Sequence, residues 1–313
     1  MTKVFINGSS GTTGLRIRER LAARDDLELI ILPDAQRHDP AAVKKAINSS
    51  DVTFFCLPDD AAREALALVE NPDTVVLDTS TAHRTAPGWV YGFPELGRTE
   101  AIKNSKRIAV PGCHASGFNA LVTPLAARGA LRQGTPLASF SLTGYSGGGK
   151  KMIAQYESPD RPADFTAPRQ YGLTQAHKHL PEMVSVSGIG TAPGFCPIVA
   201  PFYSGMEFTV ELFARDLMPG VTAETVKSIY AEEYRGPVVR YEDVSDGGFL
   251  SAAAMSGRDD MSVAVYGSGE RILLTAVYDN LGKGASGAAV QCMNLAIGCE
   301  MTKGLVLKGD DAK

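Results

Sequence analysis

Residues 3–22 read KVFINGSSGTTGLRIRERLA, in which an apolar run is followed by a glycine-rich turn and then by apolar residues at helical spacing. The pattern predicts a strand over Lys3–Asn7, a loop from Gly8 to Gly14 and a helix after the loop. A second apolar run, Leu27–Leu32, completes a strand–helix–strand unit of about 30 residues. Because such units build parallel sheets covered by helices, this opening predicts a doubly wound fold.

The loop carries three glycines, Gly8, Gly11 and Gly14, at a spacing that permits a tight turn. Such a turn lets the backbone amides at the start of the helix approach a pyrophosphate, and the hydroxyl groups between the glycines add hydrogen-bond donors. The alternative is a glycine turn that only connects strand to helix. We predict a dinucleotide site, and its residues are Gly8, Ser9, Ser10, Gly11, Thr12, Thr13 and Gly14.

The sequence after the second strand bears on the choice between NAD and NADP. Asp34 lies 20 residues after Gly14, where an acidic side chain commonly binds the ribose 2′-hydroxyl of NAD. Arg37 is close by, and an arginine near this position is typical of proteins that bind NADP. A solvated loop carboxylate is an equally good interpretation of Asp34.

Strands and helices continue to alternate up to about residue 110. Further strands are predicted at Val52–Cys56, Thr74–Leu77 and Arg107–Val110, and further helices at Ala41–Ile47 and Ala61–Val69. The alternation predicts an α/β fold, a Rossmann-like doubly wound parallel sheet over residues 1–114.

The pattern changes after about residue 115. Strands become longer and alternate polar with apolar residues, as in Met206–Phe213 and Ile272–Tyr278, and Ala223–Tyr234 has helical spacing. Half-buried strands of this kind favour an antiparallel sheet with helices on one face. We therefore predict a second, α+β domain over residues 115–283.

The composition of the 313 residues limits the classes of partner. Hydrophobic residues make up 44% and charged residues 21%, as in globular proteins, and the formal net charge of −4 gives no basic excess for nucleic acid. Three long stretches, 108–127, 134–149 and 183–206, carry no charged side chain. Prolines and glycines within them exclude membrane-spanning helices and favour buried loops or cleft walls. We expect neither a nucleic-acid nor a membrane partner.

The cysteines indicate the compartment. The five cysteines are widely spaced, with no CxxC pair and no spacing typical of metal ligands, and the N-terminal residues do not resemble a signal or transit peptide. These features predict free thiols in a reducing cytoplasm and no metal site.

Cys113 differs from the other cysteines in its surroundings. It follows a predicted strand and a Pro-Gly turn, and it precedes a predicted helix from about Ser116 to Leu131. A thiol at a helix N-terminus is favoured in its thiolate form, which is the nucleophile. Cys113 is therefore the predicted catalytic nucleophile, although most free cysteines are small buried hydrophobic residues.

The segment HKHLPE places two histidines, His177 and His179, two residues apart. In an extended segment both rings would lie on one face, with Lys178 on the other. Either histidine is a candidate acid or base, and a structural role is the alternative. His114, next to Cys113, is the competing candidate.

Four segments together carry a resemblance to a known family. These are GSSGTTG at residues 8–14, PGC at 111–113, HKHLPE at 177–182 and DNLGKGASGAAVQCMN at 279–294. Together they resemble the N-acetyl-γ-glutamyl-phosphate reductases, in their compact second type. Aspartate-semialdehyde dehydrogenases are relatives with the same fold and cysteine chemistry. The chain departs from longer members in having His114, Ala115 and Ser116 after the cysteine, where they often have Tyr and Thr.

The resemblance implies an activity and a set of site residues. The activity is the NADPH-dependent reduction of N-acetyl-L-glutamyl 5-phosphate to the semialdehyde, with release of phosphate, in arginine biosynthesis. Cys113 matches the nucleophile, and His177 and His179 lie in the segment that supplies the catalytic histidine. Asn280 matches a stretch that contacts the dinucleotide, and residues 284–313 are expected to return to the first domain. The second domain is then the catalytic and dimerisation domain of the semialdehyde-dehydrogenase type.

The sequence says less about the substrate and the oligomeric state than about the fold. The phosphate and carboxylate groups of a small-molecule substrate need cationic partners. The candidates are Arg84, Lys150, Lys151 and Arg169. A related acyl-phosphate reductase, acting on aspartyl or aminoadipyl phosphate, and a non-catalytic dinucleotide-sensing protein are the alternative functions. Strands in the second domain make a homodimer or tetramer reasonable.

Overall fold

The computed structural model describes residues 1–267 and 269–310. The strands are β1 (Thr2–Asn7), β2 (Leu27–Ile30), β3 (Val52–Phe55), β4 (Val75–Asp78), β5 (Val90–Tyr91), β6 (Arg107–Ala109), β7 (Ala138–Gly144), β8 (Arg169–Gln170), β9 (Gly194–Ala200), β10 (Met206–Phe213), β11 (Val239–Tyr241), β12 (Met261–Gly267) and β13 (Arg271–Tyr278). The helices are α1 (Thr12–Ala22), α2 (Pro40–Ser49), α3 (Asp59–Ala67), α4 (Thr99–Lys103), α5 (Cys113–Ala127), α6 (Gly149–Glu157), α7 (Leu180–Ser187), α8 (Ala223–Glu233) and α9 (Gly287–Ala296).

The chain divides into two compact units. The first unit contains Met1–Gly112 and Ala285–Leu305, and the second contains Cys113–Gly284 and residues 306–310. The division lies before Cys113, whereas the sequence placed it after residue 114. The reason is that α5 begins at Cys113 and packs on strands of the second unit.

The first unit is a parallel sheet of six strands in the order β2-β1-β3-β4-β6-β5. The order reverses beside β1, as in doubly wound sheets, and the strands predicted from the sequence lie within a residue or two of their observed positions. Strand β5 and helix α4 were not predicted, because two and five residues carry too little periodicity.

Of residues 284–313, predicted to return to the first domain, Ala285–Leu305 lie in the first unit, and residues 311–313 lie outside the described residues. Arg24 holds α9 through a hydrogen bond of 2.5 Å from its Nη1 to Asn294 Oδ1. Residues 306–310 belong to the second unit, where Val306 and Asp259 exchange two hydrogen bonds, of 2.7 and 2.8 Å.

The second unit contains a sheet of seven strands in the order β11-β12-β13-β10-β7-β9-β8. The prediction of an antiparallel sheet was incomplete, because β7 pairs with β9, and β11 with β12, in parallel. Parallel neighbours need a long crossover, and the segment with α6 and α7 connects β7 to β9. The stretches 134–149 and 183–206, predicted as loops or cleft walls, contain β7 and β9.

Helix α5 packs against β10 and β13 on one face of this sheet. Gly117 makes the close approach possible, since a Cβ there would lie 2.6 Å from Tyr278 Oη and 2.7 Å from Phe208 Cβ. Phe208 is buried between Phe118 of α5 and Phe195 of β9. The start of α5 is thereby fixed against the sheet.

None of the helices in the described ranges combines the length and the apolar character that a membrane span requires.

Candidate active site

Cys113 is the first residue of α5, and it is partly exposed. The helix therefore starts three residues earlier than the sequence predicted, and the thiol lies in its first turn. No acidic residue is present in that turn. The amides and the dipole at this helix end favour negative charge on the sulfur.

The hydroxyl of Tyr278 is inserted into the first turn of α5. Its Oη donates to the carbonyl of Cys113 at 2.6 Å and accepts from the amide of Gly117 at 3.1 Å. In a regular helix these two backbone groups would bind each other directly. Burial raises the pKa of Tyr278 well above its usual value, so the hydroxyl keeps its proton. The tyrosine thus fixes the backbone that carries the thiol.

The two predicted histidines lie close together, with ring centroids 4.8 Å apart. The backbone is different from the prediction: His177 and Lys178 are in a turn, and His179 immediately precedes α7. The prediction of an extended backbone was therefore wrong, but the two rings lie next to each other as expected. A hydrogen bond of 3.2 Å from the His179 amide to His177 Nδ1 stabilises the turn. His179 is buried and His177 is half-buried.

His114 joins this pair, with centroids 5.4 Å from His177 and 5.6 Å from His179. Its Nδ1 lies 2.8 Å from Ser141 Oγ and its Nε2 lies 2.6 Å from Tyr171 Oη. Burial, and then the charge of His177, lower the pKa of His114 to about 3. His114 is consequently neutral at physiological pH and is a poor candidate for the acid. Burial and then Lys178 also lower the pKa of His177.

Residues 171–179 form a loop that is tied to β9. The Gln175 side chain donates to the Phe195 carbonyl at 2.7 Å and accepts from the Phe195 amide at 2.9 Å. Gln175 has a positive φ of 55°, which is unfavourable for a non-glycine residue. The two hydrogen bonds compensate for this conformation and hold the loop that carries the histidines.

A second candidate site lies in the first unit, where a cavity of about 190 Å³ opens beside the glycine loop and the ends of β1 and β2. Gly8 and Gly14 are required by the turn itself, because a Cβ at either would lie 2.2–2.3 Å from a backbone oxygen. At Gly11 a Cβ would come no closer than 3.4 Å to the protein. The space over Gly11 is therefore available to a ligand, as close approach of a pyrophosphate requires.

Gly11 is also the N-cap residue of α1, and no side chain caps this helix. Its first turn has no acidic residue, so the positive end of the helix favours an anion at the loop. The cavity continues to Asp34, Arg37, His38 and Arg18. Arg37 Nη1 lies 3.5 Å from Asp34 Oδ1, and both side chains are exposed. Arg18 and Arg37 suit a dinucleotide whose adenosine end carries an additional phosphate, whereas the Asp34 carboxylate suits a free ribose 2′-hydroxyl.

The remaining predicted residues have other contacts. Both polar atoms of the Asn280 amide are engaged in the second unit, accepting from the Gly205 amide at 2.9 Å and donating to Ser146 Oγ at 3.0 Å. The structure thus gives Asn280 a role in holding two turns, and its contact with a dinucleotide stays a prediction.

Among the candidate cations, two have structural contacts. Arg84 is buried and donates to the carbonyls of Val110 and Thr79, and Arg169 stacks on Phe165 at 3.5 Å. Lys150 and Lys151 of α6 are exposed.

Sequence reasoning missed four side chains that organise the site. They are Ser141, Tyr171, Gln175 and Tyr278. Tyr171 and Gln175 precede the HKHLPE segment by a few residues, which was the only available signal. Ser141 and Tyr278 reach the site through strand pairing and carry no local sequence signature.

Comparison with known families agrees with this division of the chain. Residues 3–105 match the NAD binding domain of semialdehyde dehydrogenases, and residues 113–280 match their dimerisation domain.

Solved structures share the fold at low sequence identity. Aspartate semialdehyde dehydrogenase II from Vibrio cholerae superposes with a TM-score of 0.71 at 17% identity, covering 95% of this chain and 98% of that one. The Candida albicans aspartate semialdehyde dehydrogenase with NADP has a TM-score of 0.66 at 15% identity, covering 94% and 98%. The predicted fold class is confirmed.

Curated relatives are much closer in sequence. An N-acetyl-gamma-glutamyl-phosphate reductase from Sinorhizobium medicae is 43% identical over 94% of this chain and 98% of its own length. N-acetyl-gamma-glutamyl-phosphate reductase 2 from Pseudomonas putida is 44% identical over 96% and 98%. The resemblance noted in the sequence motifs is confirmed, and the chain belongs to the N-acetyl-gamma-glutamyl-phosphate reductase family of semialdehyde dehydrogenases.

Proposed function

We propose that this chain reduces N-acetyl-L-glutamyl 5-phosphate to N-acetyl-L-glutamate 5-semialdehyde with NADPH, releasing phosphate, as a step of arginine biosynthesis. The observation that carries the proposal is Cys113 at the N-terminus of α5, in the same unit as the paired His177 and His179. The names of relatives at 43–44% identity support the substrate.

Cys113 is the proposed nucleophile. Its thiolate attacks the acyl carbon, and the bond to phosphate oxygen breaks, so that a thioester forms and phosphate leaves. A thioester accepts hydride more readily than a carboxylate does. Tyr278 contributes by fixing the backbone of Cys113, so the sulfur is positioned before substrate arrives.

The glycine loop is the proposed cofactor site. When bound, NADPH supplies the hydride that reduces the thioester. The loop amides and the hydroxyls of Ser9, Ser10, Thr12 and Thr13 are proposed to bind the pyrophosphate. Arg18 and Arg37, which line the adjoining cavity, are suited to the 2′-phosphate that distinguishes NADP from NAD.

The thiohemiacetal oxyanion that hydride transfer leaves takes a proton from a histidine, and the same histidine takes it back as the carbonyl re-forms and the Cys113 thiolate leaves. His177 or His179 is the proposed donor, and general acid assistance of this kind typically contributes about 10²- to 10⁴-fold in rate. His177 is the more accessible of the two. Its Nδ1 accepts the His179 amide, so the neutral ring carries its proton on Nε2.

We also propose that two copies of the chain form a dimer through the second sheet. Helices α5 and α8 pack on one face of this sheet, and Phe140 and Leu273 are large, partly exposed apolar side chains on the other face. The match of residues 113–280 to a dimerisation domain supports this interface. A cytoplasmic location is supported by the five cysteines, all of which are free thiols.

The dimer proposal predicts that Leu273→Glu gives monomers in light scattering at micromolar concentration. The new carboxylate would be buried in the interface, close to the same carboxylate of the second copy. Met218→Glu is the matched control: Met218 is similarly exposed but lies outside the strands, and this variant should stay dimeric. An unchanged mass for Leu273→Glu would exclude this face as the interface.

The reductase proposal predicts phosphate-dependent reduction of NADP⁺ by N-acetylglutamate semialdehyde, the reverse reaction. Activity with aspartate semialdehyde, assayed in parallel, should be at least about 100-fold lower. Cys113→Ser should lose more than about 10³-fold in kcat while its affinity for NADPH, measured by fluorescence titration, stays within about twofold. Retention of activity within about tenfold would refute covalent catalysis. A complete lack of reverse activity in the wild type would favour a dinucleotide-sensing protein.

The histidine proposal predicts a change in the pH dependence of kcat in the reductive direction. The acid must be protonated, so the wild-type rate should fall as the pH rises through its pKa. Since the pKa of His177 is lowered from 6.5, this fall should begin below pH 6.5 if His177 is the acid. We expect that only one of His177→Asn and His179→Asn removes this limb of the profile. If both variants retain it, the acid is another group.

A further inference from the structure

The cavity beside the glycine loop is lined by two side chains that favour different dinucleotides. Asp34 and Arg37 both line it, and Arg37 Nη1 lies 3.5 Å from Asp34 Oδ1. A carboxylate after the second strand of such a sheet typically accepts a hydrogen bond from the ribose 2′-hydroxyl of NAD, whereas an arginine nearby accommodates the 2′-phosphate of NADP. The chain thus presents both recognition groups at one place in the fold.

Two consecutive turns fix the segment that carries both side chains. The Gln36 amide donates to the Pro33 carbonyl at 2.8 Å, and the Asp39 amide donates to the Gln36 carbonyl at 3.0 Å. Asp39 is also the N-cap residue of α2, where its carboxylate accepts from two backbone amides of the first turn. The segment is therefore held at both ends, and the cavity-lining carboxylate and guanidinium lie three residues apart on a defined backbone.

The ion pair between these side chains is easily opened. The Asp34 side chain is 95% exposed and the Arg37 side chain is 48% exposed, and ion pairs in water contribute little to stability. Arg37 can therefore leave Asp34 for a phosphate dianion, which binds a guanidinium more strongly than a solvated carboxylate does. When the ribose carries no phosphate, Arg37 can stay where it is, and the exposed carboxylate can still accept from the ribose hydroxyls.

Arg18 of α1 adds a second exposed cation to the lining of the same cavity. A 2′-phosphate placed here meets two guanidinium groups and one carboxylate. The two cations attract it, and Asp34 reduces the attraction by repulsion between like charges. The local charge therefore favours NADP over NAD, but by less than two arginines alone would.

We propose that the chain binds NAD(H) as well as NADP(H), and that Asp34 is the residue that limits its preference for NADP(H). Asp34 acts in two ways, because it repels the 2′-phosphate and it accepts hydrogen bonds from an unmodified ribose. Arg37 exchanges one partner for the other according to the dinucleotide present. This inference rests on the proposed cofactor site at the glycine loop and is independent of the catalytic steps.

Isothermal titration calorimetry of the full chain with NADP⁺ and with NAD⁺, at one pH and low salt, measures the preference without turnover. Each exposed contact between a cation and the phosphate is worth about tenfold in affinity, so the two Kd values of the wild type should differ by less than about 100-fold. Both dinucleotides should give a measurable heat of binding.

Asp34→Asn removes the charge and keeps the shape of the side chain. Its Kd for NADP⁺ should fall about tenfold because the repulsion is lost, and its Kd for NAD⁺ should rise about threefold because a neutral amide is the weaker acceptor. Arg37→Gln should weaken NADP⁺ about tenfold and leave NAD⁺ within about twofold. The gain of Asp34→Asn should shrink in about 0.5 M NaCl, because salt screens exposed charges.

Asp25→Asn is the matched control, since Asp25 is an exposed carboxylate in the turn before β2 that does not line the cavity. Its two Kd values should equal those of the wild type. Tight binding of NADP⁺ with no measurable binding of NAD⁺ would overturn the inference. So would an unchanged ratio of Kd values in Asp34→Asn, or an equal loss of both dinucleotides. These results are read from binding alone, so they are distinct from a failure of the reductase assay.

Discussion

The site depends on one hydroxyl group, that of Tyr278, which closes the first turn of α5 by bridging Cys113 and Gly117. A tyrosine on β13 can reach this turn only because Gly117 lets the helix approach the sheet closely. Strand pairing, helix packing and the position of the thiol are therefore linked in a single contact. The N-terminus of α5 can then present Cys113 with the helix dipole directed at it.

The histidines near this turn differ in burial, and the difference suits them to two different roles. His114 is enclosed and neutral, with hydroxyl groups on both ring nitrogens, so it is suited to orient its neighbours. His177 is half-buried and keeps access to a ligand, so it is suited to proton transfer. The three imidazole rings have centroids within 5.6 Å of one another, yet they differ in the ease with which they take up a proton.

Local patterns in the sequence were sufficient for the doubly wound sheet, the glycine loop and the place of Cys113 at the start of a helix, because each is encoded within about 20 contiguous residues. They failed where the deciding contact is distant in sequence. Ser141 meets His114 only after β7 has joined the sheet, and strand β9 was hidden by its glycine and proline. The sequence left His114 open as the competing acid for the same reason: burial by distant residues, which no local pattern shows, lowers its pKa to about 3 and makes it the poorer candidate.

The central claim is that Cys113 forms a covalent acyl intermediate before any hydride is transferred. The most direct measurement mixes the enzyme with N-acetyl-L-glutamyl 5-phosphate in the absence of dinucleotide, quenches in acid, and follows released phosphate and the mass of the chain. The account predicts a burst of about one phosphate per chain and an added N-acetylglutamyl group on the Cys113 peptide. Phosphate release that requires NADPH, with an unmodified Cys113, would contradict it.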